Sequence, residues 1–163
     1  MKRIVAFLDR DGVIDKKAPR HDYIKTWREF EFLPGAINAI KILNQKGYFV
    51  IVITNQQGIG KGLFSVETLD EIHKNMQNEL KKKDAKIDKI YFCPHLESEK
   101  CNCRKPKPGM FLQAIKENNI DIDKSIAIGD SNTDAFAAKA ARIKKIYNVT
   151  DKINLLSIVL TLD

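Results

Sequence analysis

Ile4-Val5-Ala6-Phe7-Leu8 runs straight into Asp9-Arg10-Asp11-Gly12, so five apolar residues end in two acids and a glycine. A short, unbroken apolar run bounded by a turn signal reads as a strand buried on both faces. Comparable runs recur at residues 48–53, 89–92, 125–128 and 144–147. Helical patterns lie between them. Residues 34–45 place Ala36, Ala39, Ile40 and Leu43 on one face and stop near Gly47. Ser65 is positioned to cap a helix bearing Leu69, Ile72, Met76 and Leu80, with Glu67 in its first turn. Further helices are predicted over 109–118 and 133–141. Strands alternating with helices predict an α/β fold, a mainly parallel sheet covered on both faces through right-handed crossovers. Ligands of such open sheets bind beyond the carboxyl ends of the strands.

A length of 163 residues with 44% hydrophobic and 30% charged content fits one domain over 1–163 with a sizeable core. Its apolar runs are far shorter than the roughly 18 residues a membrane-spanning helix needs, so a soluble, cytoplasmic protein is expected. The net charge of +7 raises the question of a polyanionic partner. The lysines are scattered, however, and the tightest run, Lys81-Lys82-Lys83, ends a predicted helix where cations suit the dipole. No aromatic residues interleave with it as a single-strand platform requires. The expected partner is a small phosphorylated metabolite rather than nucleic acid or membrane, and the expected state is a monomer.

Chemistry concentrates at the strand ends. Asp9 and Asp11, two apart in extended chain, lean to one side. Paired carboxylates invite a hard divalent cation such as Mg²⁺. A carboxylate can also attack phosphorus while its neighbour moves the proton. Taken alone, Asp-x-Asp reads equally as a surface turn. Thr54-Asn55-Gln56-Gln57-Gly58 ends the second strand with a hydroxyl and backbone amides suited to phosphate oxygens. Arg104-Lys105-Pro106-Lys107-Pro108-Gly109 brings three cations to a stiffened segment just before a helix. Gly129-Asp130-Ser131 follows the fourth strand and adds an acid at the same edge. Asp134 is either a partner of that site or the first-turn acid of the next helix.

Cys93, His95, Cys101 and Cys103 offer three thiolates and an imidazole within eleven positions. Zn²⁺ binds such a set tetrahedrally, and four protein ligands leave no open position, so a structural zinc is expected to brace the loop delivering Arg104 and Lys105. His73, beside an apolar helix face, reads as a border residue, and Trp27 as packing.

Together Asp9-Arg10-Asp11-Gly12, Thr54-Asn55-Gln56, Arg104-Lys105-Pro106 and Gly129-Asp130 resemble the four motifs of haloacid dehalogenase superfamily phosphatases, in order along the chain. The resemblance implies a Rossmann-like three-layer sandwich without a large cap domain. Asp9 would be the nucleophile and Asp11 the general acid and base. Mg²⁺ would be held by Asp9, the Asp11 backbone carbonyl and Asp130, with Thr54 and Lys105 stabilising the phosphoryl group. The Cys-Pro-His and Cys-x-Cys-Arg-Lys-Pro segments are similar to the D,D-heptose 1,7-bisphosphate phosphatase group, with the histidinol-phosphate phosphatase domain as near relative and a polynucleotide end phosphatase or zinc-bearing nucleic-acid module as the distant alternative. By that likeness Arg104 contacts substrate, as do His21, Asp22 and Tyr23 from the first loop and Arg10, Asn55, Gln56 and Ser131 at the strand ends. Two positions depart from the pattern: Ser131 stands where a lysine is usual, and Arg142 where a left-handed glycine is usual.

Overall fold

The computed structural model describes all of residues 1–163. Five strands, β1 (Val5–Leu8), β2 (Phe49–Asn55), β3 (Lys89–Cys93), β4 (Ile126–Gly129) and β5 (Lys145–Asn148), form one parallel sheet in the order β3-β2-β1-β4-β5. The first strand is therefore central. From it the chain builds outward on one side, then crosses over to build the other, which puts the topological switch point between β1 and β4.

Side chains alternate across the sheet, and both faces are covered. Ala6 and Leu8 of β1 join one core, with Ala39, Ile40 and Leu43 of α1 (Ala36–Gln45), Ile72 and Met76 of α3 (Val66–Lys81), and Leu155 and Val159 of α6 (Leu155–Leu160). Val5 and Phe7 join the other, with Met110, Phe111 and Ala114 of α4 (Gly109–Asn118) and Ala137 and Ala138 of α5 (Asn132–Ala140). That is the parallel sheet covered on both faces that alternating strands and helices predict, and the three-layer sandwich the resemblance implied. Ser65 caps α3 by accepting from the Thr68 amide at 3.1 Å.

Some details differ from expectation. β2 carries on two residues past its apolar run, because Thr54 and Asn55 still pair with Phe92 and Cys93. The short α2 (Gln57–Gly60) and α6 have too few turns to show a period in sequence. Arg142 does adopt the left-handed conformation, φ 67°. Trp27 stacks on Phe30 at 4.9 Å and packs against the first core. No helix is long and apolar enough to cross a membrane.

Candidate active site

The Asp9 amide still donates to the Ile128 carbonyl at 3.0 Å, so the acid leaves the sheet held against β4. The chain then turns tightly, with the amides of Val13 and Ile14 both donating to the Arg10 carbonyl. Gly12 makes the turn at φ 90°, and a methyl group there would collide with the Asp130 carboxylate. This bare stretch of backbone lets the acid from β4 approach the acid from β1. Carboxylate oxygens of Asp9, Asp130 and Asp134 lie within 4.8 Å of one another.

Asp134 serves both roles left open by sequence. One oxygen accepts from the amides of Asp130 and Ser131, each at 3.1 Å, and from the Ser131 hydroxyl, capping α5. The other pairs with Lys105 Nζ at 2.6 Å. The Lys105 ammonium, 3% exposed, also donates to Asp9 Oδ1 at 3.0 Å and to the Ile53 carbonyl at 2.8 Å. All three of its protons are thereby spent. Its ordinary value is pulled down by burial, but Asp9 and Asp134 more than offset this, so it stays charged.

Asp9 and Asp11 are pushed apart. Burial, opposed by Lys105, raises Asp9 to about 7, with Asp134 and Asp11 adding repulsion. Asp11 is also penalised by burial, yet Arg10 Nη2 and Gln56 Nε2 donate to its two oxygens, each at 2.8 Å, and its value falls below the carboxylate norm.

These contacts correct several expectations. Arg10 has no exposed surface and does not line the cleft. Its neighbours lean one way, so it leans the other, under the loop. There Nη2 pairs with Asp11, Nη1 donates to His73 Nε2 at 3.1 Å, and Nε lies 3.6 Å from Asp15. His73 is accordingly a buried partner rather than a border residue. Thr54 also has no exposed surface: Gln56 folds back over it and donates to its hydroxyl at 3.0 Å. Gln56 rather than Thr54 therefore lines the cleft. Asn55 lines the cleft, but its amide is used in a reciprocal pair with the Lys105 backbone, at 3.0 and 3.1 Å. Arg104 lies outside the cleft lining, in a neighbouring groove that shares Lys105 and Thr133, and its Nη1 is buried without a partner.

The cleft itself, about 320 Å³, opens above Asp9, Asp11 and Asp130. His21, Asp22, Tyr23 and Ser131 line it, though the serine hydroxyl is committed to capping. Tyr23 is braced by Phe64 at 6.4 Å and by Lys61 over its ring at 5.2 Å. One residue was missed. Lys17, from the same loop, lines the cleft and pairs with Asp130 Oδ2. Burial lowers its affinity for a proton, but the bond and charge of Asp130, then Asp9 and Asp134, raise it further. Two ammonium groups thus serve the three acids, Lys105 on Asp9 and Asp134 and Lys17 on Asp130, and this excess of negative charge suits a divalent ion.

Behind the cleft the thiol and imidazole groups converge. Cys93 Sγ lies 3.6 Å from His95 Nδ1 and from Cys101 Sγ, while Cys103 Sγ lies 3.2 Å from His95 Nδ1 and 3.5 Å from Cys101 Sγ. These edges suit ligands around one ion with bonds of about 2.0–2.3 Å, whereas Cys93 Sγ and Cys103 Sγ, 2.9 Å apart, must spread before both could bind it. The Cys93 carbonyl accepts from the Gln56 amide at 2.8 Å and the Pro94 carbonyl from Gly60 at 2.9 Å, tying the cluster to the tip of β2.

Comparison with known proteins agrees with this geometry. The family model described as polynucleotide kinase 3 phosphatase matches residues 3–159. The chain is 41% identical over 150 residues to D-glycero-beta-D-manno-heptose-1,7-bisphosphate 7-phosphatase of Pasteurella multocida, covering 88% of this chain and 79% of that one. It is 43% identical over 129 residues to the alpha counterpart of Mycobacterium bovis, covering 78% and 67%. Among solved structures, D,D-heptose 1,7-bisphosphate phosphatase from B. bronchiseptica, complexed with magnesium and phosphate, superposes with a TM-score of 0.85 at 31% identity over 98% of this chain and 97% of that one. The acids gathered at the switch point, the lysine that holds them and these likenesses together identify the chain as a phosphomonoester hydrolase belonging to the polynucleotide kinase 3 phosphatase family within the haloacid dehalogenase superfamily.

Proposed function

We propose that the enzyme hydrolyses the 7-phosphate of D-glycero-D-manno-heptose 1,7-bisphosphate through an aspartyl-phosphate intermediate, with Mg²⁺ as cofactor and a cytoplasmic setting. The observation that carries this reading is the gathering of Asp9, Asp130 and Asp134 oxygens within 4.8 Å at the switch point, with Lys105 gripping Asp9. Asp9, Asp130 and the Asp11 carbonyl would hold the Mg²⁺. Once bound, the ion neutralises charge on the phosphoryl oxygens and keeps Asp9 ionised.

In the first step an Asp9 oxygen bonds to phosphorus as the bond to the sugar oxygen breaks, and Asp11 donates a proton to that leaving oxygen. In the second, Asp11 takes a proton from water, whose oxygen attacks phosphorus and releases Asp9. Asp11 is held ionised by Arg10 and Gln56, so it acts as an acid only after giving up its Gln56 bond and taking up a proton from solvent, which it then passes to the leaving oxygen. Lys105 supplies the fixed positive charge for the developing oxyanion. The Cys93, His95, Cys101 and Cys103 set would hold a structural Zn²⁺ that positions Lys105.

Phosphate release from both anomers of the heptose bisphosphate, with and without Mg²⁺, tests the assignment. Histidinol phosphate and a 3′-phosphorylated oligonucleotide serve as competitors for the remaining readings. Turnover of either competitor above the heptose substrate would reverse the assignment. Asp9→Asn is expected to abolish turnover, and an unaltered rate would remove the nucleophile.

A further inference from the structure

Besides Lys105, two permanent cations line the cleft, Lys17 and Arg20, and of these Lys17 alone pairs with an acid of the cluster. Its side chain is 55% exposed, while Asp130 beneath it is 12% exposed. The base of that side chain is anchored. Asp15, two residues earlier, is fully buried and bridges to Asp11 and Phe32, and the Lys16 amide donates to the Glu31 carbonyl at 2.9 Å. The stem then crosses the bare backbone of Gly12, where an added methyl would fall 2.7 Å from Lys17 Cε. One end is fixed and the other is a mobile ammonium resting on a carboxylate.

Charge balance gives this arrangement a use. Three carboxylates are matched by two lysines, which leaves one negative charge in excess. A divalent cation replacing Lys17 brings the cluster to neutrality. A divalent ion held by Asp130 and an ammonium paired with the same carboxylate would repel each other at close range. A displaced ammonium tethered here can swing into the cleft, which Lys17 lines, or into the open groove on the other side of Gly12 and Asp130; an anionic substrate in the cleft would draw it to the first. The reacting phosphoryl group is already served by Lys105, and Ser131 in the cleft lining is uncharged.

We infer that Lys17 is a placeholder for the divalent ion, released by it to bind the second, non-reacting phosphate of a bisphosphate substrate. The hand-over to substrate rests on the proposed function, whereas the competition with metal does not. Magnesium chloride titrated calorimetrically into the metal-free full chain and its Lys17→Met variant reads the first part. Loss of a half-exposed ion-pair competitor should tighten Mg²⁺ binding about two- to five-fold. Equal or weaker binding in the variant overturns the placeholder. Steady-state kinetics read the second part: KM for the heptose bisphosphate should rise about ten-fold in the variant, as expected for one charge-assisted contact, and that for p-nitrophenyl phosphate less than about two-fold. Equal changes for the two substrates overturn the hand-over. If the wild-type chain cleaves p-nitrophenyl phosphate and not the heptose bisphosphate, the substrate assignment fails and the hand-over with it, while calorimetry alone still decides the placeholder.

Discussion

Acid should weaken this fold through one histidine. His73 accepts a hydrogen bond from Arg10 on Nε2, which requires a neutral ring, since a guanidinium only donates. Burial first, and the positive charge of Arg10 second, lower its value from 6.5 to about 3, against a smaller opposing pull from Asp11. The unfolded chain takes up a proton near pH 6.5 that the folded chain refuses until about pH 3. The stabilisation is therefore complete above the unfolded value and is lost as pH falls through that window. At pH 5 the gap of about 1.5 units corresponds to about 2 kcal/mol, almost none of which is lost at pH 7. Other groups titrate too, so the comparison is with His73→Gln, whose amide oxygen can accept the same hydrogen bond without titrating. In urea denaturation at 25 °C the wild-type chain should lose about 2 kcal/mol more than the variant between pH 7 and pH 5, a relative midpoint shift of about 1 M. Parallel pH profiles, or a His73 ring signal that titrates near its ordinary value by NMR, would refute the reasoning.

Replacing Lys105 with Met should reduce kcat about 10²- to 10³-fold, because a preorganised charge at the phosphoryl oxygens is removed; a loss under ten-fold in phosphate release would contradict its role. Cys103→Ser should lower zinc content below one equivalent by elemental analysis and make the melting temperature insensitive to chelator, whereas the wild-type chain should melt lower once chelated. Arg142→Gly relieves a left-handed residue at the end of α5 and should raise stability by up to about 1 kcal/mol, seen as a melting temperature a few degrees higher.

Much of this molecule is readable from its apolar periodicity. The runs at 4–8, 48–53 and 125–128 are uninterrupted because both faces of those strands are buried, and three of the four chemically suggestive segments follow one directly, while Arg104-Lys105 comes after the cysteine loop. The convergence of Asp9 with Asp130 was legible for that reason. What local pattern could not convey was the inward or outward aim of side chains at the strand tips. Arg10, with acids on both sides, is just as plausible facing a phosphate as facing His73 sixty-three positions away. Thr54 and Gln56 are joined by a hydrogen bond that depends on how the chain bends after β2. Lys17 reaches Asp130 across a glycine, from a loop with no periodicity to interpret.

The lysine at position 105 has three protons and three acceptors, so it cannot welcome a new ligand without dismissing an old one. The acceptor whose character changes along the proposed reaction is Asp9: once esterified, it surrenders its charge and most of its claim on the ammonium. The grip would then pass to the phosphoryl oxygens as the covalent bond matures, and return when water cleaves it. Such a cation would track negative charge along that reaction path through its side chain alone, serving both half-reactions from one fixed position.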